Sequence, residues 1–361
     1  MSHLVVVAAG TGGHVMPGLA VAEALRRRGW TVSWLGTRSG MERALVEPHG
    51  IAFDAIDFSS LRGKGPGTLL LGGFRLLRAI WQSRAALRAR RPAVVFATGG
   101  YVAVPAGLAA STVNAPLTLL NADAAPLLST RMLRSLAAAI FCGFDGAAAK
   151  LAGERGLVSG NPVREEIAAL PPPAQRYAAR SGPLNLLVIG GSLGARVLNE
   201  TLPAALALLP AQSRPRVVHQ CGAAHEAATR AAYAAAAVAA EVLPFIDDMP
   251  RRYAEADVVI CRAGAITVTE LAAAGVASIL VPLVVSTTAH QRTNAEFMAA
   301  HGAAAHLPQD ELSPERLARL LGELSRERLA AMAVAARALG RPQATKVVAD
   351  ALEHIAREAA R

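Results

Sequence analysis

The chain has 361 residues, more than one hydrophobic core usually supports, so two domains are expected. Its net charge of +10 predicts attraction to a polyanion, whether nucleic acid, an anionic membrane face or a phosphorylated substrate. Aromatic residues make up only 4% and form no stacking pattern, which disfavours nucleic acid as a partner.

Nothing in the sequence predicts export or membrane insertion. No run of eighteen uninterrupted apolar residues occurs, and Met1-Ser2-His3 lacks the basic start of a secretory signal. Cys142, Cys221 and Cys261 have no CxxC spacing and are expected to be small buried residues. We therefore expect a cytoplasmic protein without a transmembrane helix.

The first predicted strand, residues 4–9, ends in the glycine-rich turn Gly10-Thr11-Gly12-Gly13-His14. Glycines let backbone amides approach a phosphate, and the N-terminus of a following helix attracts its charge. Such a turn can equally be a plain strand-to-helix connection. Its spacing is not G-x-G-x-x-G and no acidic residue closes the next predicted strand, residues 31–35, so NAD binding is disfavoured.

Further apolar strands alternate with helical stretches along the whole chain, which predicts an α/β fold with doubly wound parallel sheets. A second glycine turn, Thr98-Gly99-Gly100-Tyr101, follows the strand at 94–97 and is expected at the same sheet edge as the first. The triple proline after Leu170 predicts an interdomain connection, with the boundary near residues 160–180.

The second half repeats the design of the first. The strand at 184–189 ends in Gly190-Gly191-Ser192-Leu193-Gly194, and a later turn at Gly264 precedes a helix that carries Glu270. A buried Glu near a helix start suits ribose hydroxyls, although an isolated Glu there is more often a simple partner of the helix dipole. The chain contains no Asp-x-Asp motif, so a metal-bridged diphosphate is not expected.

Several ordered motifs together resemble the MurG family of glycosyltransferases over nearly the whole chain. They are Thr11-Gly-Gly-His14 with Pro17-Gly-Leu-Ala20, Gly99-Gly-Tyr-Val102, Gly160-Asn-Pro-Val-Arg164, Gly190-Gly-Ser-Leu-Gly-Ala195 and Arg262-x-Gly264-Ala-x-Thr-x-x-Glu270. The resemblance implies a GT-B architecture of two Rossmann-like domains that face a cleft. It also implies inverting transfer of N-acetylglucosamine from UDP-N-acetylglucosamine to lipid I, undecaprenyl-diphospho-muramoyl-pentapeptide, in peptidoglycan synthesis.

The resemblance also implies a domain division and a set of binding residues. We expect an N-terminal acceptor domain at 1–163, a UDP-sugar domain at 164–345 and a C-terminal helix at 346–361 that packs on the N-terminal domain. No cofactor or metal is expected. The implied substrate-binding residues are Thr11, Gly12, Gly13, Asp123, Arg164, Ser192, Ile246 beside Phe245, Ala265, Ile266, Thr267, Val268, Thr269, Glu270 and Gln291.

One segment departs from the family pattern. Where the family usually reads His-Glu-Gln-Asn, this chain reads Leu120-Asn121-Ala122-Asp123, so the usual Asn contact falls on Asp123. An ionised carboxylate cannot donate hydrogen bonds, so Asp123 either accepts from sugar hydroxyls or is repelled by the diphosphate, and Asn121 could take its place. For catalysis, His14 is the titratable group nearest the glycine turn and is proposed as the base, with loop orientation or phosphate binding as the alternative.

The stretch at 74–91 carries Phe74, Leu77 and Trp81 on one helical face among several arginines. It predicts either a docking surface for an anionic membrane face or an ordinary helix packed on the core. Three rival functions stay open: another GT-B transferase, a UDP-N-acetylglucosamine 2-epimerase, and a non-enzymatic UDP-sugar sensor.

Overall fold

A computed structural model describes residues 2–10, 12–38, 40–59, 68–191, 194–283 and 290–361, with the backbone alone for 68–71. The strands are β1 His3–Ala8, β2 Thr31–Thr37, β3 Ala52–Ile56, β4 Val94–Gly99, β5 Leu117–Asn121, β6 Ala137–Cys142, β7 Gly156–Leu157, β8 Asn185–Ile189, β9 Arg216–Gln220, β10 Glu241–Leu243, β11 Val258–Cys261, β12 Ala277–Leu280 and β13 Ala305–His306.

Helices occupy most of the remaining described chain. They are α1 Gly12–Arg27, α2 Glu42–Val46, α3 Thr68–Arg90, α4 Ala103–Ser111, α5 Leu128–Leu133, α6 Ala147–Ala152, α7 Glu165–Ala168, α8 Pro173–Ala178, α9 Arg196–Ala207, α10 Glu226–Ala235, α11 Met249–Glu255, α12 Ala265–Ala274, α13 His290–Ala300, α14 Pro314–Gly322, α15 Arg326–Leu339 and α16 Ala344–Ala359.

The chain forms two compact units. Unit 1 comprises Met1–Val163 and Pro342–Arg361, and unit 2 comprises Arg164–Arg341. The triple proline lies inside unit 2 rather than between the units, where Pro173 begins α8. Proline suits the first position of a helix because an N–H group there would have no intrahelical partner, so its absence costs no hydrogen bond.

Unit 1 contains a seven-stranded parallel sheet in the order β3-β2-β1-β4-β5-β6-β7. Its central strand β1 has the sequence HLVVVA, and five of its six residues are buried. A continuous β-branched run of this kind is typical of a strand covered on both faces. The C-terminal helix α16 packs on α1, where Arg28 pairs with Asp350 at 2.8 Å (Nη1–Oδ1).

Unit 2 contains a six-stranded parallel sheet in the order β10-β9-β8-β11-β12-β13. Leu186 and Val188 of β8 and Ile260 of β11 lie in one buried cluster with residues of α9, α14 and α15. In both units the first strand of the domain sits inside the sheet, and the strands that follow it are added first on one side and then on the other, so the strand order reverses beside it. The loops at the carboxyl ends of these strands are where open α/β sheets bind ligands.

Candidate functional site

The residues predicted from sequence gather at the carboxyl ends of the parallel strands in each unit. In unit 1, Gly12, Gly13 and His14 begin α1, which follows β1, and Asp123 lies in the loop after β5. In unit 2, Gly190 follows β8, Ile246 follows β10, the 265–270 segment begins α12 after β11, and Gln291 lies at the start of α13, the helix after β12. Parallel strands end at a common edge, so residues distant in sequence meet there.

The two glycine turns of unit 1 pack against each other around His14. The Thr98 hydroxyl donates to the His14 carbonyl oxygen at 2.6 Å. Gly99 has a φ of +132°, and a Cβ at this position would collide with the His14 ring at Cδ2. Because the His14 ring lies so close to the backbone, position 99 requires glycine. This requirement explains the first glycine of the Gly99-Gly100 motif.

His14 is held in a position that suits a neutral base. Its Nδ1 is shielded from solvent and has no hydrogen-bond partner among the described residues. Burial lowers the pKa of His14 below its ordinary 6.5, while the Asp123 carboxylate and the Ala9 carbonyl partly oppose that shift. A lowered pKa keeps the imidazole unprotonated near neutral pH, which leaves a ring nitrogen free to accept a proton.

A buried carboxylate that sequence reasoning missed holds the first glycine turn. Glu42 is fully buried, and its Oε2 accepts a hydrogen bond from the Gly10 amide at 3.2 Å. Its Oε1 accepts from the Thr37 amide at 2.8 Å and the Thr37 hydroxyl at 2.6 Å. These bonds tie the end of β2 to the turn before α1. The only signal in the sequence was an acidic residue shortly after an apolar strand.

Asn121 and Asp123 have different environments, which corrects one prediction. Asn121 is fully buried, and its amide donates to the carbonyls of Asp123 at 2.7 Å and Ala125 at 3.1 Å. Its Oδ1 accepts from the Leu127 amide at 2.8 Å and the Thr130 hydroxyl at 2.9 Å. Both ends of the Asn121 amide are therefore used to hold its own loop together. Asn121 cannot take the place of Asp123 in a hydrogen bond to a sugar hydroxyl. Asp123 itself is half-buried.

In unit 2 the start of α12 follows directly from β11. Gly264 is the N-cap residue, and α12 begins at Ala265. The first backbone N–H groups of a helix have no intrahelical partner, so Ala265, Ile266 and Thr267 supply donors suited to an anion. Val268 and Thr269 are buried and anchor this turn, and the Thr269 hydroxyl donates to the Ala265 carbonyl at 2.8 Å.

Glu270 lies in the second turn of α12 as its sixth residue, which corrects the simple helix-dipole interpretation. Its Oε1 is 3.0 Å from Nη2 of Arg164, and its Oε2 accepts from the Tyr253 hydroxyl at 3.2 Å. Burial raises the pKa of Glu270, and the Arg164 charge opposes this shift. Tyr253 is a further residue that sequence reasoning missed. The buried Tyr253 hydroxyl and the partly exposed Arg164 guanidinium together orient the Glu270 carboxylate.

Two more predicted residues lie at the edge of unit 2. Ile246 is buried, whereas the adjacent Phe245 is exposed and presents an aromatic ring beside that backbone. Gln291 lies in the first turn of α13, and its Oε1 accepts from the Leu283 amide at 2.9 Å. The Asn294 amide donates to the Ala263 carbonyl at 3.1 Å and so ties α13 to the turn before α12. Predicted residues Thr11 and Ser192 lie outside the described residues.

α3 packs on the core through Leu76, Ala79, Ile80 and Leu87, but a second apolar face points to solvent. Phe74, Leu77 and Trp81 are exposed to 69%, 67% and 69%. Arg75 and Arg78 are exposed beside them, and Arg78 Nη2 donates to Asp57 at 2.9 Å. We call Phe74, Leu77 and Trp81 with these two arginines the α3 surface. The helix does pack on the core, but the prediction that the face with Phe74, Leu77 and Trp81 is the one that packs there is wrong.

Comparisons with known proteins match both halves of the chain. The Glycosyltransferase family 28 N-terminal domain matches residues 4–142, and the Glycosyltransferase family 28 C-terminal domain matches residues 185–355. A UDP-N-acetylglucosamine--N-acetylmuramyl-(pentapeptide) pyrophosphoryl-undecaprenol N-acetylglucosamine transferase of Methylibium petroleiphilum is 58% identical and covers 99% of this chain and 98% of its own length. A protein of the same name from Janthinobacterium sp. is 55% identical over 98% of this chain and 99% of its own length.

Among solved structures, the crystal structure of Acinetobacter baumannii MurG superposes with a TM-score of 0.83 at 38% identity and covers 98% of this chain and all of that one. Family models, near-full-length relatives and a solved structure thus agree on both halves of the chain. The fold is that of the GT-B glycosyltransferases, with one parallel α/β domain in each half. The chain belongs to the MurG family of glycosyltransferases.

Proposed function

We propose that this chain transfers N-acetylglucosamine from UDP-N-acetylglucosamine to lipid I and so forms lipid II in peptidoglycan synthesis. The observation that carries the proposal is the 58% identity to a transferase named for this reaction, which extends over 99% of the chain. The substrates are those two molecules, and a role in cell shape and division follows from the product. No nucleic-acid partner and no cofactor are proposed.

The donor binds at the edge of unit 2. The backbone of Ile246 reads the uracil, with the exposed ring of Phe245 beside it. Glu270 accepts from the ribose hydroxyls, since Arg164 and Tyr253 each occupy one carboxylate oxygen from the protein side and leave lone pairs on both. Ser192 and Arg164 serve the diphosphate region, and Gln291 contacts the sugar hydroxyls.

Departure of UDP requires stabilisation of charge on the diphosphate. The free amides at the start of α12, from Ala265 to Thr267, offer donors and the positive end of a ten-residue helix. The chain has no Asp-x-Asp motif. We therefore propose that backbone amides and side chains stabilise the leaving group without a metal ion.

The acceptor hydroxyl is activated in unit 1. His14 takes its proton as the bond to the sugar carbon forms and the bond to the UDP oxygen breaks on the opposite face, which inverts the anomeric centre. The lowered pKa of His14 supports this role, because the base must be unprotonated before it acts. Thr11, Gly12 and Gly13 contact the sugar-diphosphate, and Asp123 accepts from sugar hydroxyls.

The α3 surface docks on the cytoplasmic face of the plasma membrane. It combines three exposed apolar side chains with adjacent arginines, a composition typical of segments that lie in the interface of an anionic bilayer. Within the described part of the chain, no helix has the length and apolar character needed to cross a bilayer. We propose a peripheral attachment that brings the enzyme to its lipid-linked acceptor.

The test is UDP formation from UDP-N-acetylglucosamine with and without a lipid I analogue, in the presence of a chelator. We expect release that depends on the acceptor, survives the chelator and is lost in Glu270→Ala. Glu200→Ala is the matched control, because this carboxylate lies in the same unit but is exposed and pairs only with Arg196 in the described contacts.

Other results would favour the rivals. Formation of a 2-epimer of the donor without net UDP release would indicate an epimerase. Donor binding with no turnover under any acceptor would indicate a sensor. Turnover with an unrelated acceptor but not with the lipid I analogue would indicate another GT-B transferase.

A further inference from the structure

Gln220 lies at the carboxyl end of β9, between the ends of two neighbouring strands. It pairs in register with Ile189 of β8 on one side and with Leu243 of β10 on the other. The glycine turn that begins at Gly190 follows the first neighbour, and the segment from Pro244 to Ile246 follows the second. Gln220 therefore stands between two segments that the proposed function assigns to the diphosphate and to the uracil.

The side-chain amide of Gln220 bonds to both segments. Its Oε1 accepts from the Gly190 amide at 3.1 Å, and the same amide also donates to the main-chain carbonyl of Gln220 at 3.1 Å. Its Nε2 donates to the Gly191 carbonyl at 2.9 Å and to the Pro244 carbonyl at 3.2 Å. These partners fix the orientation of the Gln220 side-chain amide. Its oxygen must face the Gly190 N–H, and its nitrogen must face the carbonyls of Gly191 and Pro244.

Gln220 is shielded from solvent, so water cannot take the place of these hydrogen bonds. Gln220 is only 3% exposed, and both of its N–H groups and its oxygen are engaged. Without this side chain the Gly190 amide keeps the Gln220 main-chain carbonyl and the Gly191 carbonyl keeps the Gly194 amide, so neither is left unpaired, but both lose their link to Pro244. A glutamate at this position would keep the acceptor and lose both donors, and a methionine would lose all three bonds at similar volume.

The glycine turn itself depends on close backbone contact at this point. Gly194 has a φ of +77°, and a Cβ there would collide with the Cys221 carbonyl oxygen, next in sequence to Gln220. The Gly194 amide also donates to the Gly191 carbonyl at 2.9 Å, the same oxygen that Gln220 holds. The end of β9 thus contacts Gly190 and Gly191 through Gln220 and Gly194 through the Cys221 carbonyl.

We propose that Gln220 is a positioning residue that fixes the backbone of Gly190 and Gly191 relative to the segment at 244–246, so that both are placed for UDP. This inference rests on the proposed function, because it assumes that both segments contact the donor. Gln220 itself does not contact the substrate. It acts through the Gly190 amide and the carbonyls of Gly191 and Pro244.

The test compares uridine with UDP in Gln220→Met, Gln220→Glu and the unaltered protein, by calorimetry with competition for weak binders. Two of the three bonds go to the glycine turn, so we expect the methionine variant to bind UDP about tenfold more weakly. Its affinity for uridine should fall less than about threefold, since one bond to the uracil segment is lost. The ratio of UDP to uridine affinity therefore falls, which mere loss of stability would not cause.

Tyr233→Phe is the control, because it removes one buried hydrogen bond, to His219 at 2.9 Å, without touching either segment. It should lower thermal stability and leave the affinity ratio unchanged. An unchanged ratio in folded Gln220→Met or Gln220→Glu would overturn the inference. Failure of both variants to fold while Tyr233→Phe folds would also overturn it, since Gln220 would then serve folding alone. If the unaltered protein binds no UDP, the proposed function itself fails.

Discussion

The Arg164 guanidinium and the Glu270 carboxylate form an ion pair within unit 2, with Nη2 3.0 Å from Oε1. Arg164 stands at the first residue of this unit, and Glu270 lies 106 residues later on α12. Because Glu270 is buried, its charge requires the arginine and the Tyr253 hydroxyl for compensation. This pair defines a carboxylate of fixed orientation at the proposed ribose position.

Glu270→Gln should weaken UDP binding by roughly 10- to 100-fold, as a hydrogen bond to a charged group contributes about 1.5–3 kcal/mol. It should also abolish discrimination between UDP and 2′-deoxy-UDP. Tyr253→Phe should have a smaller effect of about 2- to 10-fold, because it removes one neutral donor from the carboxylate. Calorimetry measures both. Discrimination retained in Glu270→Gln would place the ribose elsewhere.

The pH profile of transfer should report on His14. Because burial lowers its pKa, kcat/KM should stay high down to a pH below 6.5 and then fall as His14 becomes protonated. Asp123 stabilises the protonated form, so Asp123→Asn should move this acidic limb to lower pH. Profiles of both proteins from pH 5 to 9 measure the shift. An acidic limb that stays in place would show that Asp123 does not act on the titrating group.

Membrane attachment should depend on the α3 surface. Trp81→Ser with Phe74→Ser should reduce binding to vesicles that contain anionic phospholipid by more than about tenfold, since a buried aromatic side chain contributes roughly 2 kcal/mol. Leu208→Ser is the control, because Leu208 is exposed but lies in unit 2. Sedimentation with vesicles measures binding. Equal losses in both proteins would argue against a specific docking surface.

The stability of unit 2 should fall in acid because of His219. Burial lowers the pKa of His219 from 6.5 to about 4, while its ring bonds Tyr233 and Asn199. Between pH 6.5 and about 4, His219 is therefore protonated in the unfolded chain but not in the folded unit. The contribution of His219 is complete above pH 6.5 and is lost as pH falls toward 4, at up to about 1.4 kcal/mol per pH unit.

His219→Gln should flatten this pH dependence, since glutamine can bond both neighbours but does not titrate. Urea unfolding followed at pH 7 and pH 5 measures the difference in slope between the two proteins. If the variant and the unaltered protein lose the same stability between these two pH values, another group controls the acid sensitivity.

The sequence by itself determined the fold class and the regions of the proposed site. Strands such as His3–Ala8 and Asn185–Ile189 are short β-branched or leucine-rich runs that end in glycine, and both signals are local in the chain. Parallel strands end at a common edge, so the order of strands and turns was enough to gather Gly12, His14 and Asp123, or Ile246 and Glu270. The family motifs then assigned roles that no single residue pattern carries.

Only the tertiary structure decided which side chains hold those regions in place. Glu42, Gln220 and Tyr253 bond partners that are 32, up to 30 and 17 residues distant, and no local pattern reveals such pairings. The role of Asn121 was also decided by the tertiary structure. An asparagine at this position could contact a ligand, but the side chain is buried and its amide is fully hydrogen-bonded within the protein. Helical spacing places Phe74, Leu77 and Trp81 on one face, but whether a face meets core or solvent depends on what packs against it, which is a property of the whole fold.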